Sequence, residues 1–221
     1  MKRFFIILLI TTFAISLSAQ EKEIKVLIMT TMGNITVQLY NETPQHRDNF
    51  LKLVNENKYD RTIFHRVIKQ FMIQAGAVNL SDQKSKENYS ENDLDYTVPA
   101  EIVFPQFFHK KGQLCAARTK DDVNPERASS SIQFYIVTGK HYTDYELDKW
   151  ENDRGIKFTP EQRDAYKTEG GAPNLDNDYT IFGRVIKGMK VVHKIELVET
   201  DSSNDRPLKD IRIKGMKILK K

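Results

Sequence analysis

Eight short runs rich in β-branched and aromatic residues recur along this chain, and they constrain its fold more than any other feature. They are Lys25–Thr31, Ile35–Tyr40, Thr62–Val67, Phe71–Gln74, Gly112–Ala117, Gln133–Thr138, Tyr179–Ile186 and Ile211–Leu219. Loops containing Gly, Pro, Asn and Asp separate them. Many short strands with few helices predict an antiparallel barrel or sandwich. The turn residues Met32-Gly33-Asn34 make the first two runs a hairpin. A helix is expected next, with Thr43 as N-cap and Pro44 at its first position. Phe50, Leu51, Leu53 and Val54 give that helix one apolar stripe, and it ends near Asn57.

The chain has 221 residues, enough for one domain with a real core. Its formal charge is +4, of which Lys2 and Arg3 supply two, leaving about +2 for the rest. That is too little to argue for nucleic acid or an anionic membrane as partner. Lys2-Arg3, the apolar run from Phe4 through Ile10 to Ile15, and the small residues Ser16 to Ala19 have the layout of a secretory signal peptide. The apolar run is shorter than the ~20 residues that span a bilayer. The reading is therefore a signal over residues 1–19 and a domain over residues 20–221, exported, and periplasmic if the source has two membranes. No stable membrane association is expected once the signal is removed.

The single cysteine, Cys115, cannot form an intrachain disulfide. Its neighbours Leu114, Ala116 and Ala117 suggest a buried packing thiol, the alternative being a nucleophile that lacks an evident partner histidine. The five histidines are scattered, with no close pair on one helical face, so no metal is expected. No phosphate-binding Gly-rich loop or nucleophile elbow occurs. A charged segment at about residues 140–170 predicts two short helices joined around Gly155. Thr143-Asp144-Tyr145-Glu146 and Thr159-Pro160-Glu161-Gln162 supply two capping boxes. It reads as an insertion on the rim of a β domain.

One stretch poses a chemical question. In Phe64-His65-Arg66-Val67-Ile68-Lys69-Gln70-Phe71-Met72-Ile73-Gln74, an arginine sits among side chains that favour burial. Simple alternation places Phe64, Arg66 and Ile68 on one side, with His65 and Val67 on the other. A guanidinium keeps its charge, so burial without partners is costly. Either Arg66 snorkels outward or it lines an apolar pocket.

Extended to Tyr59-Asp60-Arg61-Thr62-Ile63 before it and Ala75-Gly76 after it, this stretch resembles the signature of the cyclophilin family of peptidyl-prolyl cis-trans isomerases. Gly112–Arg118, Ser130–Ile136 and Leu175–Val185 resemble three further blocks of that family, in order. The resemblance implies a mainly β fold, a closed eight-stranded antiparallel β-barrel capped by two α-helices, here with the helical insertion on its rim. It implies catalysis by Arg66, Gln74 and Phe71. Phe71, Met72, Tyr135 and Leu175 match an apolar proline pocket. Gln74 and Gln133 match glutamines that orient the arginine and hold the substrate backbone. Ala117 and Arg118 match the rim that meets the residue before proline, and Tyr179 matches a position held by histidine or tyrosine. Phe64, Ile73 and Phe134 are expected in the core on strand alternation.

The implied activity is acceleration of X-Pro rotation in unfolded or partly folded exported chains, by a monomer without a cofactor. The alternative from another class is a non-catalytic chaperone or docking module on the same fold, using Tyr145, Trp150 and Phe158 of the insertion. Several positions depart from the pattern: Lys69-Gln70 replaces Pro-Gly, Ala75 and Ala77 replace Gly and Asp, Ile132 replaces a small residue, and Asn174 replaces Trp or His.

Overall fold

The computed structural model of the chain describes residues 24–78 and 93–219. The expected signal peptide at residues 1–19 lies outside the described residues. The hairpin forms as its turn residues require. β1 (Lys25–Thr30) pairs antiparallel with β2 (Gly33–Leu39), and the Thr30 hydroxyl donates to the Gly33 carbonyl across the turn. Six more strands complete one sheet: β3 (Phe64–Ile68), β4 (Met72–Ala75), β6 (Gln113–Ala116), β8 (Phe134–Val137), β9 (Ile181–Lys187) and β10 (Ile213–Leu219). Their order is β10-β1-β2-β9-β6-β8-β4-β3, antiparallel throughout. A separate two-stranded ladder joins β5 (Thr97–Val98) to β7 (Ser129–Ser130).

The eight-stranded sheet curls into a half-barrel and does not close into the expected barrel. Its edge strands β3 and β10 share no ladder. An isolated bridge between Ile63 and Arg212 joins them, with flanking bonds from Phe64 N–H to Ile211 O and from Ile213 N–H to Thr62 O. The reason is local. The chain makes this contact before β3 and β10 have begun, just after Arg61 takes a left-handed φ of 66°. A β-bulge between Phe64 and Arg66 then twists β3.

That bulge also corrects the simple alternation. His65 is the extra residue, so Phe64 and Val67 both reach the main core, while Arg66 and Ile68 take the opposite face. The other central strands alternate cleanly. Ile73 and Ala75, Leu114 and Ala116, and Phe134 and Ile136 face the main core inside the curl. Met72, Cys115, Tyr135 and Val137 face outward into a second apolar cluster. β6 and β8 are therefore buried on both faces, which is why their sequences show no polar period.

Two helices cover the inner core: α1 (Pro44–Asn55) through Phe50, Leu53 and Val54, and a further helix, Met189–Glu196, through Val192 and Ile195. Thr43 occupies the N-cap of α1, but its side chain makes no capping bond. Glu101 takes that role from across the fold, accepting from Gln45 N–H at 3.0 Å and His46 N–H at 2.9 Å. The insertion forms α2 (Asp144–Arg154) and α3 (Pro160–Thr168), each opened by the expected capping box, with Gly155 left-handed between them. Met189–Glu196 is then α4. The described residues thus hold four α-helices, two on the half-barrel and two in the insertion. Leu147, Phe158, Ala165 and Tyr166 of the insertion pack with Phe108, from the segment before β6, in a third apolar cluster. Its entry and exit meet at Gly139 and Gly171, where a Cβ on Gly139 would lie 2.4 Å from the Gly171 Cα.

The bulge residue His65 is fully buried, and burial pushes its imidazole down to about 3. The sign follows from that depression. The folded state keeps His65 neutral while the unfolded chain protonates near its ordinary value, so the contribution is complete above about pH 6.5 and is lost as pH falls toward 3. Replacing His65 with Leu is expected to reduce the stability difference between pH 7 and pH 5 by about 2 kcal/mol. Urea unfolding at the two pH values checks this, and an unchanged difference would contradict it.

Candidate active site

The outward cluster does not cover itself completely. Over β3, β4 and β8 it leaves a cleft of about 510 Å³. All ten residues that the sequence resemblance singled out line it: Arg66, Phe71, Met72, Gln74, Ala117, Arg118, Gln133, Tyr135, Leu175 and Tyr179. They come from five separate parts of the chain. The bulge at His65 aims Arg66 at this face, and alternation along β4 and β8 delivers Met72, Gln74 and Tyr135.

Arg66 is 43% exposed and is not a buried lone charge. Its Nε donates to Asp205 Oδ2 at 3.3 Å, across 139 residues of sequence. Asp205 is itself fixed, since its carbonyl accepts from Val67 N–H at 2.9 Å and its N–H donates to Asp201 O at 2.8 Å. The pair is half-exposed, so its worth to stability is small, about 1 kcal/mol or less. What it does is orient the guanidinium. Gln74, the register partner of Arg66, donates instead to Gln133 Oε1 at 3.1 Å, which locks two amides along the cleft floor.

Phe71 depends on the turn before it. Gln70 adopts φ 59°, a conformation glycine takes without strain, and its N–H donates to Glu196 Oε1 at 2.7 Å. The Glu196 carboxyl is held below its usual range. Burial pushes it up, but bonds from His193, Gln70 N–H and Thr138 together outweigh that. The Phe71 carbonyl accepts from Thr138 N–H and Gly139 N–H. A turn without Pro-Gly is thus tied down by an acid from α4.

The opposite wall is aromatic. Tyr135 and Tyr179 meet edge to face at 6.0 Å, and the Arg118 guanidinium lies 4.5 Å from the centre of the Tyr179 ring. Arg118 carries no free charge to the cleft, because its Nη1 pairs with Asp121 at 2.5 Å and its Nε donates to Asp178 O. The Tyr135 hydroxyl lies 3.0 Å from His109 Nε2, and burial pushes its titration well above the usual tyrosine range. Ala117 is held flat by bonds to Gln133 O and from Ser130 N–H. Gly76 lets these strands approach, since a Cβ there would lie 2.4 Å from Ile132 O. Burial pushes the Cys115 thiol well up, as expected for a packing residue.

Sequence reasoning missed the supports, Asp205 and Glu196. It also missed the polar half of the cleft, including Asp93, Thr97, Asn124, Glu126 and Ser130. Nothing local marks Asp205, since its only tie to Arg66 is tertiary. Substituting Asp205 with Ala is expected to lower kcat/KM on an X-Pro peptide about three- to tenfold while shifting stability by about 1 kcal/mol or less. Steady-state kinetics with thermal unfolding check this, and full activity would show that Arg66 needs no anchor.

Comparison with known proteins follows the same line. The cyclophilin type peptidyl-prolyl cis-trans isomerase family profile matches residues 25–218. Peptidyl-prolyl cis-trans isomerase cypE of Dictyostelium discoideum is 32% identical over 189 residues, spanning 85% of this chain and 93% of that protein. Peptidyl-prolyl cis-trans isomerase-like 1 of Neurospora crassa is 30% identical, over 88% of this chain and 94% of that one. Among solved structures, a cyclophilin type peptidyl-prolyl cis-trans isomerase of Cryptosporidium parvum superposes with a TM-score of 0.65 at 25% identity, covering 90% of this chain and 99% of that one. A cleft carrying an anchored arginine among apolar side chains, on a half-barrel of this order, therefore belongs to a chain of the cyclophilin-type peptidyl-prolyl cis-trans isomerase family.

Proposed function

We propose that this isomerase accelerates rotation about X-Pro bonds in exported chains as they fold, with Arg66 as the principal catalytic residue. The observation that carries the reading is the cleft itself: an arginine, two bonded glutamines and an apolar pocket share one 510 Å³ space.

The peptide bond resists rotation by ~18–20 kcal/mol because resonance holds it planar. X-Pro cis and trans forms are close in energy, so the barrier is what matters. Halfway round, resonance is lost and the proline nitrogen becomes pyramidal, with a lone pair. A fixed donor aimed at that lone pair binds the twisted bond better than either planar form. Arg66 is such a donor, held through Nε by Asp205 so that its terminal nitrogens remain to act. Phe71, Met72, Tyr135 and Leu175 grip the proline ring. Gln74 and Gln133 meet the substrate backbone, and Ala117, Arg118 and Tyr179 border the residue before proline. A bound peptide covers the exposed part of Arg66 and excludes water, which strengthens the bond. A barrier lowered by ~7 kcal/mol corresponds to roughly a 10⁵-fold acceleration. One hydrogen bond does not supply that alone, so the pocket must also hold the twisted shape.

The partner is any accessible X-Pro segment in extended form, and bond rotation needs no cofactor. The Lys2-to-Ala19 pattern supports export, with the periplasm as destination in a source with two membranes. The docking-module reading finds less support. Phe158 is buried and Trp150 packs on the insertion core, leaving Tyr145, 79% exposed, as the single outward aromatic of the three.

An Arg66→Ala variant is expected to lose about 10²–10³-fold in kcat/KM on an X-Pro peptide by protease-coupled or NMR exchange assay, with the fold intact. Equal rates for variant and wild type would defeat the assignment.

A further inference from the structure

The far wall of the cleft sits on a short segment with little regular structure. After α3 the chain returns through Gly171 and makes one 3-10 turn at Pro173–Leu175. It passes Asn177 at φ 62° and enters β9 at Ile181. Leu175 and Tyr179 project from this segment. Residues 176–180 lie between that turn and β9, so something else must fix their position.

Arg118 and Arg127, outside the insertion, bond Asp178 O and Asn177 O, and Arg127 pairs with Asp178 Oδ1 at 3.0 Å; the insertion supplies a further set of ties. Arg154 is the last residue of α2, where a cation suits the helix dipole. Its Nη1 donates to Asn174 O, and its Nη2 donates to Asp176 O at 2.9 Å and to Asp178 Oδ2 at 2.6 Å. One guanidinium thus grips three alternate residues of the wall segment, with the planar fork that a lysine lacks. A second tie is fully buried. Asp176 Oδ2 accepts from the Tyr166 hydroxyl of α3 at 2.5 Å, and Oδ1 accepts from His109 N–H at 2.7 Å and lies 2.9 Å from His109 Nδ1. On the other side of the ring, His109 Nε2 lies 3.0 Å from the Tyr135 hydroxyl. The contacts run unbroken from α3 through Asp176 and His109 to the pocket face of Tyr135.

We propose that Arg154 and Tyr166 are positioning residues for the proline pocket, so that the helical insertion sets the pocket's far wall. The inference rests on the reading of this cleft as the X-Pro site. The insertion is rigid enough for the task. It has two capping boxes, an apolar cluster shared with Phe108 and a glycine-to-glycine neck that joins it back to the sheet. A loosened wall weakens grip on the ring more than it disturbs Arg66, which is anchored on the other side by Asp205. The signature is therefore a rise in KM with kcat largely kept.

The test uses the full chain and an Ala-Ala-Pro-Phe peptide, measured by NMR exchange for rates and by NMR titration for Kd. Arg154→Met is expected to raise KM and Kd about tenfold, with kcat within about threefold. Arg154→Lys should recover little of the loss, because a point charge cannot reach three acceptors. Lys149→Ala, exposed on the same helix, should match wild type. Tyr166→Phe removes one hydroxyl without changing volume and should raise KM about threefold; it decides the matter if Arg154→Met fails to fold. Wild-type KM and Kd in a folded Arg154→Met, or in Tyr166→Phe where Arg154→Met is unfolded, would overturn the inference while leaving the isomerase reading intact. An inactive wild type would instead sink that reading, with the titration still reporting on Arg154.

Discussion

Strands β4, β6 and β8 bury both of their faces, and the rest of the structure depends on it. A strand sends successive side chains to opposite sides, so one sequence must satisfy two environments at once. Leu114, Phe134, Ile136 and Ile73 build the core inside the curl. Their immediate neighbours Cys115, Tyr135, Val137 and Met72 build the outward apolar cluster, of which Met72 and Tyr135 line the cleft. Stability and site therefore share a backbone. A shift of one residue in register would empty the core and fill the cleft together.

The cleft is asymmetric in how it is held. On one side the bulge at His65 presents Arg66, and Asp205 fixes it. Glu196 holds the turn that carries Phe71. On the other side a short segment carries Leu175 and Tyr179 and borrows its order from arginines and a buried carboxylate. Neither side is rigid through its own secondary structure alone. Groups distant in sequence supply the constraint, as preorganised catalysis requires.

Much of this was legible in the sequence. All eight strands of the main sheet coincide with the eight β-rich runs within a few residues, because side-chain type and turn residues act locally. The capping boxes at Thr143 and Thr159 and the turn at Gly155 are local too, and they form as read. What was not legible is tertiary. Glu101 caps α1 where Thr43 was expected to, and no local pattern links residues so far apart. The bulge moved Phe64 to the face opposite Arg66, since one extra residue inverts a period of two. α4 has an amphipathic stripe that buries Val192 and Ile195, but it spans only eight residues and carries paired valines of low helix propensity, which is why it was not placed from the sequence. The half-barrel stays open because β3 and β10 share no ladder, the segments leading into them being joined by the Ile63–Arg212 bridge and its flanking bonds. The ten residues singled out through the resemblance line one cleft, while the tertiary contacts of Asp205 and Arg154 with that region carry no local signal.

The central claim is that a guanidinium, steadied by Asp205 and set among apolar side chains, recognises a proline amide partway through its turn. A crystal structure of the chain with an X-Pro peptide tests it most directly. The account predicts the ring seated between Phe71, Met72 and Leu175, with the Arg66 terminal nitrogens within hydrogen-bond reach of the prolyl amide. A ring bound elsewhere, or an Arg66 side chain turned away from it toward bulk solvent, would contradict the account.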